Sequence, residues 1–436
     1  MIKRYTIAIL ALPLIGLLAP EAGAQLADPS ARSLGLSGAY TARARGYEAV
    51  FWNPANLGLP GHAGWSVGLP AVNAFIANNS LSYGDITGLY GEFLDAQRKS
   101  EILEDIRRGD PDRMLRIDGD ASAHWIGFSI WRFAVAGGSI ATGTAELSAD
   151  AVELILFGNV GEDGLGKDFA LEGSNALGWS VSAVGASYAQ PFTIPALDHL
   201  GMHFSVGATA KYLVAHGLGR VTDQGSLFTL DPLAVDVSAE AIYSSDAISG
   251  SGWSVDLALA MKSQSVTAGL TVRNLAGDIA WDEDVFELTA VTASADFSSS
   301  TSSDTTFSFD ELSPEDQARV RAFLDEASLP TRIRLGGKFD LGSKFSVSAD
   351  YEETVGGTLR AGWDRLIAAG AELALVPNIP LRIGLGTNFE DVAYSGGLGI
   401  YGGPVHFDIA ARRQGVGGGG GLALALSLSI WPGTRN

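Results

Sequence analysis

Thr331-Arg332-Ile333-Arg334-Leu335-Gly336-Gly337-Lys338-Phe339-Asp340-Leu341, then a Gly342-Ser343 turn, then Lys344-Phe345-Ser346-Val347-Ser348-Ala349-Asp350-Tyr351-Glu352, is the stretch that decides the fold class. Ile333, Leu335, Phe339 and Leu341 share one face of the first segment, and Arg332, Arg334, Lys338 and Asp340 the other. After the turn, Phe345, Val347, Ala349 and Tyr351 alternate with Lys344, Ser346, Ser348, Asp350 and Glu352. A two-residue period means strands with two unlike faces. The pattern recurs in segments of ~10 residues between glycine-rich turns, as expected for an antiparallel barrel with lipid outside and a polar lumen.

The N-terminus supplies the compartment. Lys3 and Arg4, an apolar run from Ile7 to Leu18, and Ala22-Gly23-Ala24 read as a signal peptide over residues 1–24, with the mature chain starting near Gln25. That run is shorter than the ~20 residues a helical span needs, and no later segment is longer. With 0 cysteines, disulfides and thiolate metal sites are excluded. A formal charge of −20 leaves no basic patch for nucleic acid. The mean hydropathy of +0.17 is low for a helical membrane protein and ordinary for a barrel whose residues face lipid only half the time.

The fold class is therefore all-β: a transmembrane, up-and-down antiparallel barrel over residues 61–436. Candidate strands number ~14 to 16, and an even number is expected. The clearest come late, through to Leu422–Trp431; earlier ones include Trp65–Pro70, His124–Ala136, Gly137–Leu147 and Leu233–Tyr243. Short links at Ser263-Gln264, Gly342-Ser343, Pro377-Asn378 and Gly402-Gly403 fall on one side of the membrane, and the long insert 276–330 on the other. Two helical inserts are expected, at residues 89–108 and after Ser313, where Ser313-Pro314-Glu315-Asp316 is a helix start signal. The Ser/Thr-rich tract Thr292–Ser308 reads as a mobile loop, and Gly417–Gly421 as a hairpin loop.

Chemistry-bearing motifs are absent: no HExxH, GxSxG, P-loop or clustered Cys/His occurs, and the six histidines are dispersed. Nothing here points to an enzyme, a cofactor or a metal. The informative residues are charges opposite the apolar face: Lys211, Asp256, Lys262, Arg334, Lys338, Asp350, Glu352, Arg382, Asp408 and Arg412. An Arg or Lys facing lipid at mid-membrane costs ~2–4 kcal/mol, so these residues point into the lumen or lie near an interface, and His203 and His406 are read as lumen residues. They form either a salt-bridged interior that stabilises the barrel or a polar passage. Trp125, Trp131, Trp253, Tyr351, Trp363, Tyr401 and Trp431 lie near strand ends, where aromatic girdles sit.

One segment carries a family resemblance. Ser33-Leu34-Gly35-Leu36-Ser37-Gly38-Ala39-Tyr40-Thr41-Ala42, followed by Glu48-Ala49-Val50-Phe51-Trp52-Asn53-Pro54-Ala55-Asn56-Leu57, resembles the N-terminus of the FadL-like outer-membrane transporter superfamily. Leu329–Gly337 with Asp350-Tyr351, and the hairpin Ala369–Leu373 to Leu381–Gly384, are similar to its later strands. The resemblance implies a 14-stranded barrel, a hatch-like segment over residues 25–60 with Gly35, Gly38, Asn53, Pro54 and Ala55 in it, and passive uptake of hydrophobic or amphipathic small molecules such as long-chain fatty acids. It also implies outer-membrane localisation in a Gram-negative cell, with outer-membrane lipid and the barrel assembly machinery as partners. PorV-like members of the superfamily act instead as adaptors or anchors for secreted surface proteins. A plugged lumen with large external loops favours that role, and an apolar pocket reaching a gap in the wall favours transport. A soluble, periplasmic or secreted β-protein is the third alternative.

Overall fold

The computed structural model describes residues 29–61, 64–81, 94–108, 110, 113–230, 233–296, 300–376 and 378–432. The signal peptide, Leu89–Phe93 of the first helical insert, and Pro377 lie outside them.

The strands, in chain order, are β1 (Trp65–Asn78), β2 (Leu115–Ile130), β3 (Phe133–Leu147), β4 (Phe169–Ala170), β5 (Asn175–Phe192), β6 (His203–Asp223), β7 (Leu227–Leu230), β8 (Leu233–Ser244), β9 (Gly250–Lys262) and β10 (Val266–Trp281), then β11 (Phe286–Asp296), β12 (Ser300–Ser308), β13 (Thr331–Leu341), β14 (Phe345–Val355), β15 (Arg365–Val376), β16 (Ile379–Thr387), β17 (Val392–Gly402), β18 (Val405–Val416) and β19 (Gly419–Ile430). Fourteen of these form a closed antiparallel barrel, in which β3 pairs with β5, β6 with β9, and β10 with β13. The ring is sealed where β1 pairs with β19, from Val67 opposite Ile430 to Asn78 opposite Gly420. Closure leaves no unpaired barrel edge, and so satisfies the backbone without water.

Alternation sets the two faces. On β13, Leu335 is 56% exposed on the outer face while Arg334 is 8% exposed on the inner one. Outward positions all round the wall are apolar, including Val206, Leu257, Leu259, Ile383, Leu385, Ile409 and Leu426. None of the helices described is long and apolar enough to cross a membrane. The four short links do share one end of the barrel, with Trp131-Arg132 and Trp431 beside them.

The other five strands build a sheet above the long-loop end. There β8 pairs with the top of β6, from Gly219 opposite Tyr243 to Asp223 opposite Ala239, and also with β7 and β11; β12 pairs with β11, and β4 with β7. Several expectations are corrected here. Leu233–Tyr243 is a strand, but of this outer sheet. The Ser/Thr tract is no loose loop: its described residues form the β11–β12 hairpin, where Thr289 and Thr306 hydroxyls pair at 2.8 Å. The run His124–Ala136 is two strands, because the chain turns at Trp131, whose φ is 52°. Of Gly417–Gly421, only Gly417-Gly418 form the turn, and Gly419 already opens β19.

Among the described residues three external helices occur rather than two. The described part of the first insert forms α2 (Ala96–Arg107), after the single-turn α1 (Ala31–Leu34) of the N-terminal segment. An unexpected α3 (Ala149–Phe157), capped by Ser148, packs Val152 against Ile102, Leu103 and Ile106 of α2. The last, α4 (Pro314–Glu326), starts where the sequence indicated, with the Ser313 hydroxyl accepting from Asp316 N at 3.2 Å.

Candidate functional site

Residues 30–60 run inside the barrel. Ala31, Leu36, Ala39, Thr41, Ala44, Ala49, Asn53, Ala55 and Leu57 have no exposed surface. The segment touches most of the ring towards the short-turn end, and small residues on both sides permit the approach. At Gly207 on β6 a Cβ would sit 2.3 Å from Ala55 N, and at Gly384 on β16 it would sit 2.4 Å from the Leu36 carbonyl carbon. Only glycine fits such backbone-to-backbone contacts.

The five residues singled out in the segment are all on this path. A Cβ on Gly35 would lie 3.2 Å from Gly397 Cα, and Gly38 has φ +92°. Asn53 caps a 3-10 turn that Pro54 opens: its Oδ1 accepts from Ala55 N at 2.9 Å, and its Nδ2 donates to the Leu259 carbonyl of β9 at 3.1 Å.

Polar contacts anchor the segment to the wall. The buried Arg32 donates through Nε to Asp408 Oδ2 at 2.9 Å, through Nη1 to Glu48 Oε1 at 3.3 Å, and through Nη2 to His406 Nδ1 at 3.0 Å. Asp408 also accepts from Arg382 Nη1 at 2.7 Å, and Arg382 donates to Glu372 at 2.7 Å and to the Tyr401 hydroxyl at 2.6 Å. On the neighbouring strand β14, Tyr40 N and Thr41 N donate to Asp350 Oδ2 at 3.2 and 2.8 Å. Arg43 Nε donates to the Ser348 hydroxyl at 2.8 Å, and that hydroxyl donates to the Ala39 carbonyl at 2.8 Å. Buried charges persist only when paired and hydrogen-bonded, as these are.

Two more groups of inward charges lie elsewhere on the ring. Lys211 on β6 meets Asp256 on β9 at 2.6 Å, both buried, with Asn274 Oδ1 accepting from the same ammonium. Arg332 and Arg334 both pair with Glu352 across β13 and β14, and the Arg334 guanidinium stands 4.2 Å above the Trp52 ring of the N-terminal segment. Lys338 pairs with Asp340 at 2.7 Å, and Lys262 Nζ donates to the Pro60 carbonyl at 2.9 Å. Arg412 stands over the Phe75 ring at 5.9 Å, and its Nε has no acceptor among the described residues. His203 lies at the short-turn rim of β6.

Two aromatics assigned to the girdle point inward instead. Tyr401 stacks on His406 with ring centroids 3.8 Å apart, and Trp431 lies 5.3 Å from the Arg32 guanidinium. The interior cations recruit them, since a desolvated guanidinium against a ring face is worth ~2 kcal/mol. Sequence reasoning also missed Arg32, Arg43 and Glu48, whose signal was charge in an otherwise small and apolar segment. Among the described residues no group of three His, Cys, Asp or Glu could hold a metal.

A closed ring of fourteen strands with its own N-terminal segment inside is the architecture that the resemblance implied. No family model matches the chain, and no curated protein does. Solved structures with similar chains include the CymD monoaromatic hydrocarbon channel, at 12% identity and TM-score 0.47, covering 93% of this chain and 97% of that one. The toluene transporter TbuX of Ralstonia pickettii is 14% identical at TM-score 0.45, covering 91% and 97%. A FadL homologue of Pseudomonas aeruginosa is 11% identical at TM-score 0.44, covering 91% and 97%. At such values these likenesses carry no argument about this chain, whose architecture rests on its own register.

Proposed function

We propose that this chain is an outer-membrane barrel that passively conducts a hydrophobic or amphipathic small molecule, with the N-terminal segment as a displaceable stopper. The observation that carries the reading is how the lumen is filled. About eight strands make a ring that its own side chains can fill, and wider rings leave space. Fourteen strands leave a lumen that residues 30–60 occupy, tied to the wall by side-chain contacts and continuing into β1 only at their C-terminal end. A plugged lumen beneath a large external sheet also suits an adaptor, so conduction requires that the filling move.

The lining supports an amphipathic cargo. Trp179, Val181, Leu213 and Leu218 form an apolar lane on the buried side of β5 and β6, while Arg332, Arg334, Glu352 and Arg412 line the interior elsewhere. Such a surface suits a long-chain acid, whose tail and carboxylate need different partners. Outer-membrane lipid and the barrel assembly machinery are the partners this reading requires.

The absence of cysteine makes the test direct. Ser37 Oγ on the segment and Ser395 Oγ on β17 are 2.8 Å apart. A Ser37→Cys, Ser395→Cys protein in liposomes is expected to pass a labelled long-chain fatty acid when reduced and to stop when oxidised. Equal uptake in both states would sink the stopper. The adaptor reading is favoured by the plugged lumen and by the external sheet, where β12 pairs only with β11 among the described residues and Ser300–Thr306 are exposed. Co-purification of a surface protein, lost on deleting the β11–β12 hairpin, would replace transport with that role.

A further inference from the structure

We infer that the outer wall of β6, β9 and β10 carries a site for a single-chain amphiphile whose head group donates hydrogen bonds, as an amine or a sugar hydroxyl does. This goes beyond conduction and rests only on the chain's being in a membrane. In the register of the three strands, Tyr212 stands opposite Trp253, and Trp253 opposite Asp278. Residues directly opposite one another share a face. Tyr212 and Trp253 are 59% and 57% exposed on the outer face, so the Asp278 carboxylate stands beside them on the outside of the barrel.

The wall is indented there. A bulge between Val272 and Ala276 shifts the β9–β10 pairing and brings Gly277 opposite Ser254. A groove of about 620 Å³ results, bounded by Tyr212, Ser251, Trp253, Asp278 and Ala280. The groove is shallow and open, as a site for a chain lying along the wall must be.

Height and charge select the occupant. Asp278 is twelve positions beyond Val266, the short-turn end of β10. The bulge takes up two of those steps, so Asp278 is level with Trp253, nine positions from the Lys262 end of β9. At ~3.3 Å per residue and a tilt of ~40° that is about 23 Å up, at the upper edge of an apolar band ~25 Å tall. Its Oδ1 accepts from Ile279 N at 2.9 Å and Leu329 N at 3.4 Å, while Oδ2 takes no bond from the described residues. An acyl chain can thus lie along the Tyr212 and Trp253 rings, in line with outward Leu257 and Leu259, with its head at the free carboxylate oxygen. An anionic head is repelled there.

The experiment uses the full barrel in nanodiscs, titrated with bromine-tailed dodecylamine, dodecyl maltoside and dodecanoate while tryptophan fluorescence is read. Partitioning into the bilayer quenches outward tryptophans linearly. The site adds a saturable component for the amine and the maltoside, absent in Trp253→Phe and in the groove-filling Ala280→Trp. Dodecanoate is expected to bind at least tenfold more weakly than the amine, and Asp278→Asn to weaken the amine about tenfold. Purely linear quenching, or a saturable part that survives both Trp253→Phe and Ala280→Trp, overturns the site. Locking Ser37→Cys to Ser395→Cys stops conduction and leaves this quenching intact, so the two readings fail separately.

Discussion

Arg32 on the N-terminal segment and Asp408 on β18 meet at 2.9 Å in the interior of the barrel, 376 residues apart in the chain. The pair joins the N-terminal segment to the barrel wall. Both side chains are almost wholly buried, so neither charge has water to fall back on. Removing one partner of a buried pair costs ~3–5 kcal/mol, because the other charge is stranded. Arg32→Met is therefore expected to loosen residues 30–60 and raise fatty-acid leak through liposomes. Amide exchange across the segment is the readout, and unchanged protection would refute the anchoring role. Arg32→Lys should rescue little, since one ammonium cannot reproduce a fork reaching Asp408, Glu48 and His406.

The wall glycines make a second, steric prediction. Gly207→Ala puts a methyl into the Ala55 amide and is expected to cost about 1–3 kcal/mol of overpacking, read as a lower urea midpoint and easier proteolysis of the segment. Gly337→Ala on β13 is the control, because a Cβ there meets nothing within 4 Å. If both variants unfold alike, the segment does not press on β6 as the structure has it.

Much of this was legible beforehand, and what was not has identifiable causes. The hairpins from β13 onward read cleanly because Ile333, Leu335, Arg332 and Arg334 hold their faces without interruption. Earlier strands carry bulges, between His124 and Ile126 and between Ser180 and Val181, and each flips the alternation in mid-strand. The turn at Trp131 carries no Gly, Asn or Asp to announce it. Helix α3 was hidden because Ala149–Phe157 is apolar nearly all round, so its period is blurred, although Ser148 offered a cap signal. In the interior, alternation places Arg382 and Asp408 on the inner face, but no local pattern reveals that Arg32 reaches them. That contact is set by closure of the whole ring.

Asn53 tests one of the motifs that carry the resemblance. Asn53→Asp keeps the acceptor for Ala55 N, loses the donor to the Leu259 carbonyl, and buries a charge; Asn53→Ala loses both bonds. A lost cap costs ~1 kcal/mol, and a buried carbonyl left bare ~1–3 kcal/mol. Both variants should lower stability, with Asp at least as damaging as Ala despite its closer shape. If Asp is neutral, the Leu259 bond is not made.

Acid should loosen the external helices before it touches the barrel. Glu153 on α3 joins Arg107 of α2 at 2.6 Å and Lys167 of the following loop at 2.8 Å. Burial pushes its carboxyl up, but the hydrogen bonds from Lys167, Glu162 N and Arg107 outweigh that and hold it below the ordinary value of 4.5. A group depressed on folding contributes stability that is present above its unfolded value and lost as pH falls through its folded one. Lys167 has the opposite sign: burial lowers it, Glu153 and Asp150 raise it further, and its contribution is lost only as pH climbs past its ordinary 10.5. Between those limits the link should be intact. Amide protection of Ala149–Phe157 is therefore expected to be flat from pH 6 to 8 and to fall below about pH 4.5 in the wild type. In Glu153→Gln it should already be reduced at pH 7 and respond less to acid. A variant losing protection on acidification as steeply as wild type would show that another group holds α3 to α2.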